Sequence, residues 1–416
     1  MKKILSNLYV FSILNNIMSV LIGVLTSAFL NRYLGVELRG EYAYYLNLSS
    51  ILVIFIGFGL AQSYPRAVRK GLDNVKNKYF ALALLQFILS FIVLLLNMLI
   101  NKNWGNIYLL IMVPSQVFAQ QVGYIAAVDK LKKYQKMNFI DVFISLILNF
   151  LLFVMVPQYV IMAFIVIALK SIIDLIYYIY LLKPNLRKIN FSSEELKFIF
   201  GLSFITMVMT LLININYKVD VIMLKNKVSN SQLGLYTTGT GLANYIWIIP
   251  DAFKNVLFSK TAKNDSIQDI NWSIKISIAM SVICMLGLAV FGKIALFILY
   301  GIEFVSAYNV TCIIMFGAPS MILFKLISNL FIANGKQIFY CIGLTISAMV
   351  NIFLNVILIP LYGINGAAFA SVISYSVCGI IFYVRYIRDY NIKWYIPLFI
   401  THTDLKKIVS MVKKYK

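Results

Sequence analysis

Charge is scarce in this chain. Of 416 residues, only 12% are Asp, Glu, Lys or Arg, while 61% are apolar and the mean hydropathy is +0.85. A soluble domain carries about a quarter of its residues charged, so water cannot surround this chain on every side. Histidine is nearly absent: the single one, His402, excludes a His-based metal site. The four cysteines (Cys284, Cys312, Cys341 and Cys378) all lie in apolar runs without C-x-x-C spacing, and read as buried, reduced thiols. No Walker A, G-x-S-x-G, H-E-x-x-H or D-x-D sequence occurs, so enzymatic chemistry has no visible seat, and neither cofactor nor metal is implied.

What the chain has instead is long apolar runs. A membrane-crossing helix takes roughly 20 mostly apolar residues, and twelve such runs are present. Six lie between residues 8 and 182 and six between residues 198 and 386. Stretches such as FILSFIVLLLNMLI are apolar on both faces, which excludes the period-two alternation of an outer-membrane barrel. The expected fold is therefore an all-α polytopic membrane protein of about 12 transmembrane helices. Its expected divisions are a six-helix lobe over 1–182, a cytoplasmic linker over 183–197, a second six-helix lobe over 198–386 and a basic cytoplasmic tail over 387–416. The N-terminal run follows MKK but is too long for a signal peptide, and reads as a retained first helix.

The net charge of +22 resembles a nucleic-acid signal but has a simpler source. With the N-terminus placed in the cytoplasm and basic residues at span ends counted with their loops, cytoplasmic segments hold 28 of the 37 Lys and Arg, and outer loops hold 6. That bias puts both termini inside and leaves no call for a nucleic-acid partner. In the tail, Leu405, Ile408, Val409 and Val412 recur at helical spacing beside Lys406, Lys407, Lys413 and Lys414. This suits an amphipathic helix on an anionic leaflet or, equally, a solvated basic tail.

The two halves echo each other weakly. Gly40-Glu41-Tyr42 returns as Gly234-Leu235-Tyr236, 194 residues later, and Pro157-Gln158-Tyr159 returns as Pro360-Leu361-Tyr362, 203 residues later. Six spans repeated in one orientation is the pattern of a two-lobed transporter with its site between the repeats.

Four longer stretches carry a resemblance. They are NRYLGVELRGEYAYYLNLSSILVIFIGFGLAQSYPR, NYKVDVIMLKNKVSNSQLGLYTTG, ILYGIEFVSAYN and NIFLNVILIPLYGINGAAFASVIS. In this order and spacing they resemble bacterial polysaccharide flippases, the O-antigen and repeat-unit translocases of the multidrug/oligosaccharidyl-lipid/polysaccharide exporter superfamily. The resemblance implies a V-shaped carrier in the bacterial inner (cytoplasmic) membrane, working by alternating access as a monomeric transport unit. Its cargo would be an undecaprenyl-pyrophosphate-linked oligosaccharide moved from the inner to the outer leaflet. Whether a polysaccharide polymerase and chain-length machinery act with it stays open.

Diphosphate and sugars cannot cross hydrocarbon unaided, so ionisable residues within the spans are the candidates for handling them. Lys325, deep in the tenth run, and Lys293, in the ninth, are unpaired in sequence and read as phosphate ligands, with snorkelling as the alternative for both. Lys170 and Asp174 stand four residues apart, either as an ion pair or as cavity groups. Lys218 and Asp220 read as an interfacial pair at the outer end of the seventh run. Asp251 follows Pro250, either as a coupling carboxylate or as the partner of Lys254. Arg32 and Arg39 sit in an outer connection, where they form turn ion pairs or line the outer mouth. Asp141 suits a helix N-terminus. Intramembrane amides such as Gln116, Gln120, Gln121, Asn149, Asn214 and Asn329 are more numerous than helix packing requires, as a sugar-lined cavity would make them. Two rivals remain: a multidrug or cation exporter of the same superfamily, and a membrane glycan polymerase, which would need a larger outer loop than any present.

Overall fold

A computed structural model describes residues 8–102, 105–186, 189–261 and 267–399. His402 and residues 405–414 of the expected amphipathic tail lie outside the described residues. The described residues are almost entirely helical. In chain order the helices are α1 Leu8–Gly57, α2 Leu60–Arg69, α3 Val75–Asn101, α4 Asn106–Asp129, α5 Leu131–Met155, α6 Val160–Leu182 and α7 Ser193–Leu224. There follow α8 Asn230–Asn244, α9 Ile248–Thr261, α10 Ile267–Tyr300, α11 Tyr308–Met315, α12 Ala318–Ala333 and α13 Gln337–Asp389.

The twelve apolar runs fall on helix, apart from short breaks such as Phe58–Gly59 and Phe316–Gly317. Eight described helices are long and apolar enough to cross a membrane, or nine if the bent pair Ile302–Met315 and Ala318–Ala333 forms one span. Two of the eight, Met18–Arg69 and Gln337–Asp389, are 52 and 53 residues long. At 1.5 Å rise each could span about 80 Å, more than twice the hydrocarbon thickness. Each is also broken at a glycine with non-helical backbone, Gly35 (φ 64°) in the first and Gly363 (φ 55°) in the second. A side chain is disfavoured at such a φ, so glycine is what allows the chain to turn there. The eighth run is interrupted: α8 passes through a 3₁₀ turn at Tyr245–Trp247 before α9.

By packing, the chain divides into two compact units. One comprises Met1–Thr237 with Leu296–Val305, and the other Thr238–Ala295 with Ser306–Lys416. Helix α7 thus packs with the first unit. Its start is fixed by a capping box: Ser192 Oγ accepts from Glu195 N–H at 3.1 Å, and Glu195 Oε2 accepts from Ser192 N–H at 3.1 Å.

Two apolar clusters hold the first unit together. One gathers Tyr64, Tyr79, Phe118, Val122, Tyr178 and Ile199; the other gathers Tyr33, Tyr42, Met112, Val113, Leu152 and Phe164. Helix α6 gives Phe164 to one cluster and Tyr178 to the other, and Lys170 and Asp174 stand on the stretch between them. Polar side chains collect there because neither cluster can bury them without partners.

In the second unit, α12 is buried almost throughout from Met321 to Phe331. Its Phe324 and Phe331 meet Phe382 of α13 at ring distances of 4.9 and 5.9 Å. The two arms of α13 are tied across Gly363 by hydrogen bonds: Ser347 Oγ donates to Ser374 O (2.8 Å), and Asn351 Nδ2 donates to Ser374 Oγ (3.2 Å). Gly366, Ala367, Ala370 and Ser371 are buried at this contact, where a Cβ on Gly366 would overlap the Leu358 carbonyl. The small-residue pattern thus serves close packing.

Candidate functional site

Two adjoining polar cavities lie within the first unit, of about 570 and 530 Å³. They share Gln116, Ser171 and Asp174 on their walls. The larger is bounded by Ser50, Gln120, Asn138, Asn214 and Lys218, and the smaller by Asn31, Arg39, Asp141, Asn149 and Lys170. Four of the amides singled out above (Gln116, Gln120, Asn149 and Asn214) therefore line these cavities, although Asn149 Nδ2 also donates to Ser145 O (2.8 Å) and Asn214 Nδ2 to Thr210 O (2.9 Å) of their own helices. Two others tie one helix to another: Gln121 Nε2 donates to Gly57 O (2.9 Å) and Asn329 Nδ2 to Lys254 O (3.1 Å).

Arg39 is an unsatisfied cation in this space. Its Nε and Nη1 are buried without a hydrogen-bond partner, and among the described residues no carboxylate stands within ion-pair distance. The Tyr42 ring lies 5.3 Å from the guanidinium carbon. An aromatic face stabilises a cation weakly, so a buried guanidinium left this way is a ready anion site. Arg32 does something different: its Nε donates to Leu299 O (3.0 Å) and Nη2 to Ile298 O (2.6 Å), capping the last carbonyls of α10. The two arginines of one connection thus part company, one structural and one facing the cavity.

Of the two readings of Lys170 and Asp174, the ion pair is not formed, and both residues line the smaller cavity. Lys170 Nζ bonds Asp141 Oδ2 of α5 at 2.9 Å, which leaves Asp174 Oδ1 and Asp141 Oδ1 buried without partners. The neighbouring helix presents a carboxylate on the cavity side, and a pair one turn apart on a single helix gains too little to compete. Lys218 and Asp220 also separate. Lys218 Nζ donates to Ser50 Oγ (2.8 Å), while buried Asp220 accepts from Tyr236 Oη and from Val221 N–H. Residues two apart on a helix point to different faces, and α7 runs on to Leu224, which puts Lys218 inside the helix and not at its rim.

In the second unit Lys325, only 8% exposed, does not stand free. Its Nζ donates to both oxygens of Asp251 (2.8 and 2.9 Å) and lies 4.5 Å from the Trp247 ring centre. Asp251 therefore pairs with Lys325 of α12 in place of the expected Lys254, and a phosphate would have to displace it. Lys293 is exposed beside the Tyr308 ring (5.3 Å) among exposed apolar residues such as Phe291 and Ile294. That is the snorkelling alternative. Among the described residues, no three of His, Cys, Asp and Glu converge on a point that could hold a metal ion.

Sequence reasoning missed Asn31 and Asn138, which look like ordinary helix residues until the bundle closes. It also missed that the echoed glycines touch. A Cβ on Gly40 would overlap the Asn230 carbonyl, and one on Gly234 would overlap the Val36 carbonyl. The second arm of α1 and the start of α8 cross backbone to backbone.

Residues 6–258, more than half of the chain, match the polysaccharide biosynthesis protein family. The chain belongs to that family. No curated protein matches it in sequence. Its fold is that of known transporters. The lipid II flippase MurJ in an inward closed conformation is 15% identical and superposes with a TM-score of 0.75, covering 91% of this chain and 88% of that one. An inward-facing multidrug resistance MATE family transporter of the MOP superfamily is 14% identical, with a TM-score of 0.71 over 90% of this chain and 95% of that one. A MOP superfamily transporter from Pyrococcus furiosus is 13% identical, with a TM-score of 0.66 over 91% and 95%. The chain is thus a multi-span membrane protein with the flippase and exporter fold.

Proposed function

We propose that this protein flips a lipid-diphosphate-linked oligosaccharide, undecaprenyl-linked in a bacterium, from the inner to the outer leaflet of the cytoplasmic membrane. The observation that carries the proposal is Arg39: a buried guanidinium with two unpartnered nitrogens, in a cavity walled by amides and hydroxyls. The lipid tail can stay in the bilayer, while diphosphate and sugar need cations and hydrogen-bonding groups in place of water. Family membership supports a role in polysaccharide biosynthesis. In this reading the chain crosses the membrane twelve times in two lobes with both termini cytoplasmic, acts as a monomeric carrier by alternating access, and makes or breaks no covalent bond.

The multidrug exporters share the fold, so the fold favours neither reading. The cavity does. A cation exporter needs an excess of carboxylates over resident cations; here Asp174 is unpaired, but Asp141 already holds Lys170, and the cations Arg39, Lys170 and Lys218 outnumber the two carboxylates on these walls. The test is deletion in the native host, with lipid-linked repeat units assayed on each face of the membrane. Accumulation on the cytoplasmic face and loss of surface glycan are expected. Unchanged glycan with no accumulation refutes the reading. Arg39→Gln in the restored gene is expected to lower surface glycan at least tenfold while the protein reaches the membrane in normal amount.

A further inference from the structure

Resting on the flippase reading, the larger cavity raises a question that the diphosphate does not answer. Lys218 is a cation inside α7 whose ammonium donates to a neutral hydroxyl, Ser50 Oγ, at 2.8 Å. Among the described residues it has no carboxylate within ion-pair distance. The one acidic side chain on the walls of its cavity, Asp174, is shared with the smaller cavity. A half-buried ammonium held this way keeps an uncompensated charge, at a cost that an anionic ligand reduces.

The diphosphate is not that anion if Arg39 holds it. Arg39 and Ser50 lie on one unbroken helical arm of α1, eleven residues apart, or about 16 Å along the axis. One diphosphate group cannot span that length. Around Lys218 the walls offer what a sugar uses: the amides Gln116, Gln120 and Asn214, and the ring of Tyr124, with Gln116 also on the wall of the cavity that holds Arg39. Amides hydrogen-bond hydroxyls, and aromatic faces pack on the apolar face of a sugar ring.

We infer that the larger cavity is a glycan subsite that selects a negatively charged sugar, such as a uronic acid, through Lys218, while Arg39 holds the diphosphate at the other end. An ammonium with a free position pairs with a sugar carboxylate, whereas a neutral sugar leaves its charge unmatched. The subsite thereby sets which repeat unit is carried, a choice that the diphosphate common to all such lipids cannot make.

The full-length protein in lipid nanodiscs tests this with two synthetic polyprenyl-diphosphate trisaccharides that differ only in bearing a glucuronate or a glucose. Binding is read by tryptophan fluorescence. The wild type is expected to bind the glucuronate compound at least tenfold more tightly. Lys218→Gln is expected to bring the ratio of the two affinities to about one, and Lys218→Arg to keep it. Arg39→Gln is expected to weaken both compounds in the same proportion. Equal wild-type affinities, or a Lys218→Gln variant that keeps the tenfold ratio, overturn the inference while leaving the flippase reading standing. A Lys218→Gln variant that weakens both compounds alike makes Lys218 a diphosphate ligand and also overturns it. Failure of the wild type to bind either compound overturns the flippase reading, and the inference with it.

Discussion

Lys325 and Arg39 are both cations set among apolar helices, and their neighbours give them opposite work. Lys325 is matched by both oxygens of Asp251, with side-chain exposures of 10% for the lysine and 49% for the aspartate. The pair is asymmetric, so its two halves should not cost the same to remove. Asp251→Ala strands a buried ammonium, at about 3 kcal/mol. Lys325→Met leaves a carboxylate already half exposed, and is expected to cost less than about 1 kcal/mol. Thermal unfolding of the purified protein in detergent checks the order, and a larger loss for Lys325→Met would show that Asp251, not Lys325, is the buried partner. Arg39 has no such match, so Arg39→Gln is expected to leave the unfolding midpoint unchanged or raise it while export falls. A residue kept for stability would show the reverse.

At the scale of elements, the crossing of α1 with α8 depends on two glycines that face each other. Gly40 and Gly234 let backbones meet where any side chain would overlap a carbonyl. The start of α8 is also tied to α7: Lys225 Nζ donates to Asn230 Oδ1 (2.8 Å), and Tyr236 donates to Asp220. Gly234→Val must push the two helices apart, and overpacking of this kind costs about 1–3 kcal/mol. The expected outcome is a cysteine pair at Val36 and Asn230 that cross-links readily in an otherwise wild-type chain and poorly beside Gly234→Val. Equal cross-linking would mean that the helices do not meet there. A second tie lies at the other end of α7. Lys78 pairs with Glu195 at 2.6 Å, Lys76 Nζ donates to Leu182 O (3.0 Å), and Asn77 accepts from Asn185 N–H (2.9 Å). The polar connection between α6 and α7 is therefore held by the first turn of α3.

For the whole molecule, the proposed cargo is an anion leaving a cell that is negative inside. Each charge moved outward gains about 2.3 kcal/mol per 100 mV, so a doubly charged diphosphate gains about 4–5 kcal/mol before any cavity cation travels with it. Clamping the potential to zero in inverted vesicles, with the pH gradient kept, is expected to slow translocation of a fluorescent lipid-diphosphate sugar severalfold. A rate that ignores the potential would mean that the cavity cations move with the substrate and cancel its charge.

Much of this was legible without coordinates, for reasons that belong to the bilayer. Apolar runs long enough to cross it must be helical, because lipid offers backbone groups no partner, and the runs fall on helix as the composition requires. The motif order around Gly40, Asp220, Gly301 and Asn351 pointed to the family that residues 6–258 match. The partners of the charged residues were not legible. Spacing suggested Lys170 with Asp174, Lys218 with Asp220 and Asp251 with Lys254, all near in sequence. The structure gives Lys170 to Asp141, Lys218 to Ser50 and Asp251 to Lys325. The sequence by itself determined where the chain is helix, since that follows from local hydropathy. Only the tertiary structure decided which charges are matched and which face the cavity, because inside a low-dielectric bundle a charge pairs with whatever group another helix brings within about 3 Å, and that helix can lie far along the chain.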